Sequence, residues 1–300
     1  MKKFVKNLVD GTFLEKPARS LINSLKPFQI AKIKNAATTK RKLVFMHMPK
    51  CAGTSVQNAF RRELKSDPST FKMKALRASF PAISDIKNEC EFYAESGRYQ
   101  EFLLLYYLHR GAPFISGHYP ISRVTLDEFG DTYKFVTLLR DPVDRFISQY
   151  TYDKMLELES SSFAENQRTQ DERKADLQQY LRSWRAWFVS HIYTWMFGGH
   201  RFTNDLGSAD VRRVAKKNLQ EFDIVGFTNA LPTFLGQIEK LFGFRLEIRR
   251  DNTTQSASSR VSVDLKTYLD LFTEDMRRQV AELCRDDCEV YDFARNLFEH

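Results

Sequence analysis

Residues 42–60, KLVFMHMPKCAGTSVQNAF, contain residue types that could bind a phosphate-like anion. Their apolar start predicts a short buried strand, and their end predicts an amphipathic helix. The small or polar residues between the two are Lys50, Gly53, Thr54 and Ser55. A strand that runs into such a loop and a helix N-terminus brings a lysine and several backbone N–H groups to one point. This stretch therefore predicts an anion-binding loop.

A second stretch with anion-binding chemistry lies about 90 residues further along the chain. Residues 134–139, KFVTLL, predict a buried strand that leads directly into Arg140, Asp141 and Pro142. Proline suits the first position of a helix and aspartate its N-cap. Ser148 then lies two helical turns further on. Arg140 and Ser148 can both face the edge where parallel strands end, which is where open α/β folds bind ligands.

Short apolar strands alternate with helical segments along most of the chain. Further strands are predicted at 114–116 and 223–227, and long helices at 143–158 and 231–242. This alternation predicts an α/β fold with a mainly parallel central sheet flanked by helices. We expect residues 43–300 to form a single domain.

Three further expectations concern the rest of the framework. Residues 84–110 predict a helix broken near Gly97, and residues 244–248 predict a short strand. A stripe of aromatic residues favours core packing over a stacking platform for an acceptor ring. Its members are Trp184, Trp187, Phe188, His191 and Trp195.

The formal charge of +8 belongs to a basic N-terminal arm. Residues 1–42 hold eleven Lys or Arg and two acidic residues, whereas the remaining residues hold 35 basic and 36 acidic ones. The balanced body argues against a nucleic-acid-binding protein. Apolar residues at helical spacing in the arm predict one or two short helices that are packed on the body or partly disordered. The alternatives are an arm that contacts a membrane surface or a partner, and a transit peptide.

The arm does not resemble a secretory signal, because charged residues such as Asp10 and Glu15 interrupt its apolar positions. The longest apolar run, residues 102–108, is far shorter than the roughly 20 residues that cross a bilayer. The four cysteines lack the spacing of a metal site and favour a reduced chain. We therefore expect a cytoplasmic protein without a transmembrane segment or a metal ion.

The two anion-binding stretches resemble the motifs of a known family. The P-loop of nucleotide hydrolases places its lysine after the second glycine, whereas Lys50 precedes Gly53. HMPKCAGTS instead resembles the 5′-phosphosulfate loop of sulfotransferases that use 3′-phosphoadenosine 5′-phosphosulfate (PAPS). LLRDPVDRFISQY resembles their 3′-phosphate motif, R-D-P-x-x-R-x-x-S-x-Y, and VGFTNALPTFLGQIEKLFGF is also similar to family members. The resemblance extends to the carbohydrate branch that sulfates 2-hydroxyls of heparan-type chains. It also implies a P-loop-like architecture for the α/β fold.

The resemblance implies a role for each residue of the first loop. Lys50 would contact the oxygen that bridges the phosphate and the departing sulfuryl group. The backbone at Gly53 and the hydroxyls of Thr54 and Ser55 would hold the 5′-phosphate. The transfer would be in-line and would need no metal ion, since positioning and charge stabilisation carry such a reaction.

The resemblance also implies residues for the far end of the donor. Arg140 and Ser148 would bind the 3′-phosphate that distinguishes PAPS from ATP, and the planar guanidinium suits that contact. Arg250 and Thr254 lie where the family has a loop that closes over the donor. They are further candidates for donor binding.

His118 is the candidate base that would accept the proton of the acceptor hydroxyl, and a purely structural histidine is the alternative. It follows a predicted strand in Ser116-Gly117-His118. The branch that sulfates uronic acids has His-Gly-His in a similar place, so Ser116 is a departure from its pattern. His47, inside the first predicted strand, is expected to be a core histidine with satisfied hydrogen bonds.

Together these features predict a PAPS-dependent sulfotransferase that releases adenosine 3′,5′-bisphosphate (PAP). Its acceptor would be a hydroxyl of a small metabolite, a natural product or a glycan. Two other functions remain open from the sequence. One is a kinase-like enzyme that uses ATP, and the other is a non-catalytic module that binds acidic polymers through the basic arm.

Overall fold

The computed structural model describes residues 42–70, 89–160, 168–199, 205–249 and 266–299. The basic arm up to residue 41 lies outside these ranges, as do Arg250 and Thr254.

Four parallel strands form the sheet in the described part of the chain. They are β1 (Lys42–Met46), β2 (Phe114–Gly117), β3 (Tyr133–Leu139) and β4 (Ile224–Phe227). Their order is β2-β1-β3-β4, so β1 lies between β2 and β3. Met46 at the end of β1 aligns with Gly117 of β2 and with Thr137 of β3. The predicted parallel α/β fold is therefore confirmed.

Helices flank the sheet on both faces. They are α1 (Gly53–Leu64), α2 (Glu89–His109), α3 (Arg123–Phe129), α4 (Pro142–Ser160), α5 (Gln170–Leu181), α6 (Trp184–Ser190), α7 (Ile192–Gly198), α8 (Ala209–Leu219), α9 (Leu231–Phe242), α10 (Lys266–Leu269), α11 (Glu274–Leu283) and α12 (Arg285–Phe298). None of these helices is long and apolar enough to cross a membrane.

The strands are apolar along their length because helices cover both of their faces. Val44 and Met46 of β1 pack in the cluster that includes α7 and α12. Leu43 and Phe45, which point the other way, pack with Phe60 of α1. The two faces together fix β1 in the centre of the fold, and with it the loop that follows β1.

Two of the sequence predictions are wrong. The helix α2 continues through Gly97, because burial of Tyr93 and Leu104 outweighs the roughly 1 kcal/mol that a glycine costs within a helix. Residues 244–248 are not a strand. Leu246 is instead buried beside α1 and α9, and the guanidinium of Arg62 donates to the backbone oxygen of Glu247 at 2.7 Å.

The aromatic stripe lies mainly in the core, as predicted, but it is divided between two short helices. Phe188 of α6 and Trp195 of α7 are buried, with ring centroids 5.2 Å apart. Trp184 and Trp187 are partly buried at the edge of the same cluster. The break falls at His191, which is buried between the two helices.

Candidate active site

The loop between β1 and α1 has the backbone geometry of an anion-binding loop. Lys50 and Ala52 both have positive φ angles, 63° and 56°. The first hydrogen bond at the start of α1 runs from the N–H of Val56 to the carbonyl oxygen of Ala52, at 3.3 Å. The N–H groups of Gly53, Thr54 and Ser55 precede it and have no partner within the helix. These groups and the positive end of the helix dipole form a site for an anion.

Gly53 is required because the imidazole of His47 lies against its Cα atom. A Cβ atom at position 53 would lie 2.0 Å from Cδ2 of His47 and 2.4 Å from its Nε2 atom. Contacts this short exclude any side chain while His47 keeps its place. The first residue of α1 and the residue directly after β1 are therefore packed against each other.

A hydrogen-bond network holds the His47 ring in this position. Its Nδ1 atom lies 3.3 Å from Oε1 of Gln57, and the hydroxyl of Ser116 donates to the same oxygen at 2.9 Å. Because an amide oxygen only accepts, the His47 proton is on Nδ1. Burial and the neighbouring His118 lower the pKa of His47 to about 3, so the ring is neutral. Ser116 thus supports His47 as a residue of the hydrogen-bonded core, in agreement with the sequence interpretation.

His118 lies directly beyond β2 with its ring facing His47. The two ring centroids are 4.7 Å apart. The Nδ1–H of His118 donates to the backbone carbonyl oxygen of His47 at 2.5 Å, and a carbonyl can only accept. Burial lowers the pKa of His118 below its usual value. The ring is therefore neutral with its lone pair on Nε2, which is the form that can accept a proton.

Lys50 extends from the loop over the ring of Tyr152 in α4. Its Nζ atom lies 4.2 Å from the ring centroid. Burial lowers the pKa of Lys50, the nearby Arg140 lowers it further, and Asp153 acts in the opposite direction. Within the described ranges Lys50 has no ion-pair partner, since the carboxylate of Asp153 is bound by Arg185 at 3.0 Å.

Arg140 and Ser148 occupy the end of β3 and the second turn of α4. The helix begins at Pro142, and Asp141 caps it by accepting from the N–H of Asp144 at 3.0 Å. The backbone of Arg140 is bonded to the hydroxyl of Tyr193, which accepts from its N–H at 2.9 Å and donates to its oxygen at 2.5 Å. Neither the guanidinium of Arg140 nor the hydroxyl of Ser148 has a hydrogen-bond or ion-pair partner among the described residues.

The strand order brings three of the predicted elements to one edge of the sheet. His118 follows β2, the Lys50 loop follows β1, and Arg140 follows β3. Because β1 lies between the other two strands, the loop lies between the histidine and the arginine. Arg250 and Thr254, the remaining predicted donor contacts, lie outside the described residues.

Several residues of this site were not found from the sequence. Gln57 and Tyr193 connect elements that lie far apart in the chain, so neither has a local signal. Arg145, the second arginine of the R-D-P-x-x-R pattern, is fully buried and donates to the backbone oxygen of Val189. It is therefore a residue of the core, for which the pattern alone gave no role.

Comparison with known proteins gives one family. The family model described as "Sulfotransferase family" matches residues 36–294, which is most of the chain. A comparison with curated proteins found no match.

Proposed function

Because the chain belongs to the sulfotransferase family, we propose that it transfers a sulfuryl group from PAPS to an acceptor hydroxyl. The observation that carries this proposal is the strand order β2-β1-β3. It supports a site in which the phosphosulfate loop lies between a base on one side and a 3′-phosphate site on the other.

The basic side chains of the site that lack an ion-pair partner among the described residues fit a donor with two anionic ends. Lys50 and Arg140 have no ion-pair partner among the described residues, and the charge of Arg140 helps to lower the pKa of Lys50. Neighbouring basic residues such as Arg185 and Lys154 are paired with carboxylates. A ligand that carries phosphate at both its 5′ and 3′ positions would neutralise the charges that the protein leaves unpaired.

Different residues near the loop would bind different parts of the donor. The backbone N–H groups at Gly53, with the hydroxyls of Thr54 and Ser55, would hold the 5′-phosphate. Arg140 and Ser148 would hold the 3′-phosphate. Arg250 and Thr254 are proposed as further donor contacts on the family resemblance alone. PAPS supplies the sulfuryl group, and the protein supplies orientation and positive charge.

In the reaction, the acceptor hydroxyl oxygen forms a bond to sulfur while the bond from sulfur to the phosphate oxygen breaks. The bonding electron pair stays on that phosphate oxygen, and PAP leaves. Lys50 would stabilise the negative charge that develops there. The acceptor proton would pass to Nε2 of His118, whose Nδ1–H is already held by the His47 carbonyl. A base held in this way typically contributes about 10²- to 10⁴-fold in rate.

The acceptor class follows from the base rather than from a binding pocket. A neutral imidazole suits the deprotonation of a hydroxyl, so we propose an alcohol group of a small metabolite, a natural product or a glycan. Ser116 bonds to Gln57 and supports the core. This use of Ser116 favours a single histidine base at this site over the paired histidines of the uronic-acid branch.

The test compares the melting temperature of the full chain with PAP, AMP and ATP at equal concentrations. A ligand present at 100 times its Kd adds about 2.7 kcal/mol to the unfolding free energy. We expect the largest rise with PAP, because only PAP places phosphates at both sites. A rise with ATP that equals or exceeds the rise with PAP would instead favour a kinase-like enzyme.

A further inference from the structure

The hydroxyl of Tyr193 joins the two donor-binding motifs. It accepts from the N–H of Arg140 at 2.9 Å and donates to the carbonyl oxygen of the same residue at 2.5 Å. The Sγ atom of Cys51, next to Lys50, lies 3.4 Å from the same hydroxyl oxygen. One phenol oxygen therefore contacts both the loop after β1 and the loop after β3.

Tyr193 is itself held rigidly. Its side chain is fully buried, and its ring stacks on Tyr291 with centroids 6.4 Å apart. The carboxylate of Asp287 accepts from the backbone N–H of Tyr193 at 2.9 Å and from that of Thr194 at 2.9 Å. Burial raises the pKa of Tyr193 well above its usual value, so the hydroxyl keeps its proton and can donate.

The hydrogen bonds between Tyr193 and Arg140 replace the strand pairing that the sheet does not provide at Arg140. The ladder between β3 and β4 ends at Leu139 and Phe227, one residue before Arg140. Without another partner, the peptide groups of Arg140 would be free to rotate, and the direction of its guanidinium would change with them. The rigid phenol accepts one hydrogen bond from Arg140 and donates one to it, and the two bonds fix this residue as a further pair of strand residues would.

We propose that Tyr193 is a positioning residue for the donor, which fixes Arg140 relative to the phosphosulfate loop. This inference rests on the proposed function, because it assigns the 3′-phosphate to Arg140. Tyr193 does not touch the nucleotide. It sets the separation between the two phosphate sites, so its loss should weaken binding of a bisphosphate more than binding of a monophosphate.

The test measures the affinities of PAP and AMP by calorimetry for three proteins: the wild type, Tyr193→Phe and a control variant. The ratio of the AMP Kd to the PAP Kd reports what the 3′-phosphate contributes. For Tyr193→Phe we expect this ratio to fall about tenfold, the usual effect of losing a well-placed hydrogen bond. The KM for PAPS should rise by a similar factor with less change in kcat.

Tyr133→Phe is the matched control. Tyr133 is equally buried, and its hydroxyl likewise bonds two backbone groups, here the oxygens of Leu108 and Ala112 at 3.2 and 3.0 Å. It lies at the opposite end of β3 from Arg140. We expect Tyr133→Phe to lower the melting temperature as Tyr193→Phe does and to leave the ratio unchanged.

The outcomes separate this inference from the proposed function. If the wild-type chain binds PAP no better than AMP, the proposed function fails. If it prefers PAP and Tyr193→Phe keeps the wild-type ratio, Tyr193 only packs the core and the inference is wrong. Should Tyr193→Phe not fold, Cys51→Ala removes the contact with the other loop. A ratio reduced a few-fold would support the inference, and an unchanged ratio would overturn it.

Discussion

The Nδ1–H of His118 donates to the backbone carbonyl oxygen of His47, 71 positions earlier in the chain. Because that oxygen belongs to the residue directly after the central strand β1, the tautomer of His118 is set by the backbone at the end of the sheet. No side chain can be removed to change it. The two rings face each other at 4.7 Å, and both are neutral.

His118→Ala should abolish most of the turnover while donor binding survives. Loss of a positioned base lowers kcat by about 10²- to 10⁴-fold. The Kd of PAP should stay within about threefold, because His118 lies on the other side of the loop from Arg140. Steady-state kinetics and calorimetry provide the two measurements. His109→Ala, an exposed histidine at the end of α2, is the control and should behave as wild type.

The pH dependence of kcat should show no acidic limb above about pH 6.5, the ordinary histidine pKa. The base works in its neutral form, and burial lowers the pKa of His118 below that value. Activity is therefore lost only as the pH falls through the lowered pKa. Rates at saturating PAPS and acceptor between pH 5 and 8 measure this. An acidic limb centred near pH 7 or above would exclude a buried His118 as the base.

His47 should make the protein less stable in acid. Its pKa is about 3 in the folded protein and about 6.5 in the unfolded chain, so only the unfolded state binds the proton between these values. The stabilisation is complete above pH 6.5 and is lost as the pH falls towards 3. Between pH 7.5 and 5, the wild type should lose about 2 kcal/mol more unfolding free energy than His47→Gln. Urea titrations at both pH values test this, and parallel losses in the two proteins would contradict it.

Gly53→Ala should destabilise the fold through the His47 ring. The added methyl group would overlap the ring, which typically costs about 1–3 kcal/mol. His47→Ala removes the obstacle, so the double variant should be more stable than the sum of the two single effects predicts.

Gly236→Ala in α9 is the matched control. Nothing lies within 4 Å of the position that its methyl group would take, and the change should stabilise the helix by up to about 1 kcal/mol. Thermal or urea unfolding measures all four variants, and additive effects at 53 and 47 would show that backbone movement relieves the clash.

Lys50→Met should reduce kcat far more than it weakens PAP binding. Loss of one preorganised charge at the leaving oxygen costs about 10²- to 10³-fold in kcat. The ammonium now lies over the ring of Tyr152, a contact worth about 0.5–1 kcal/mol at an exposed site. Tyr152→Leu is therefore the control, with kcat within a few-fold of wild type. If both variants lose kcat equally, the ring contact itself is needed for turnover.

Local patterns were sufficient to predict the sheet and the loops at its edge. The apolar runs before Lys50 and Arg140 are strands, and the helix predicted at 231–242 has those bounds. The Asp141 cap could be predicted because a cap depends only on residues within one helical turn.

Contacts between distant parts of the chain could not be predicted in this way. Tyr193 bonds to Arg140 over 53 positions and to Cys51 over 142. Its sequence neighbours suggested only an apolar core. The contact between Gly53 and His47 depends on how the loop folds back over the strand. The break at His191 likewise depends on its tertiary contact with Asp286 at 3.2 Å.

Because β2 lies at one end of the strand order, a change near β2 and a change near the other strands affect different parts of the site. The two loops that we propose to bind phosphate follow the adjacent strands β1 and β3, whereas His118 follows a strand that pairs with β1 alone among the named strands. If the proposed function is correct, a change in the segments around β2 would alter the histidine side of the site and leave the proposed nucleotide site in place. Chimaeras joined at the ends of β2 are therefore expected to keep the affinity for the donor while the acceptor changes.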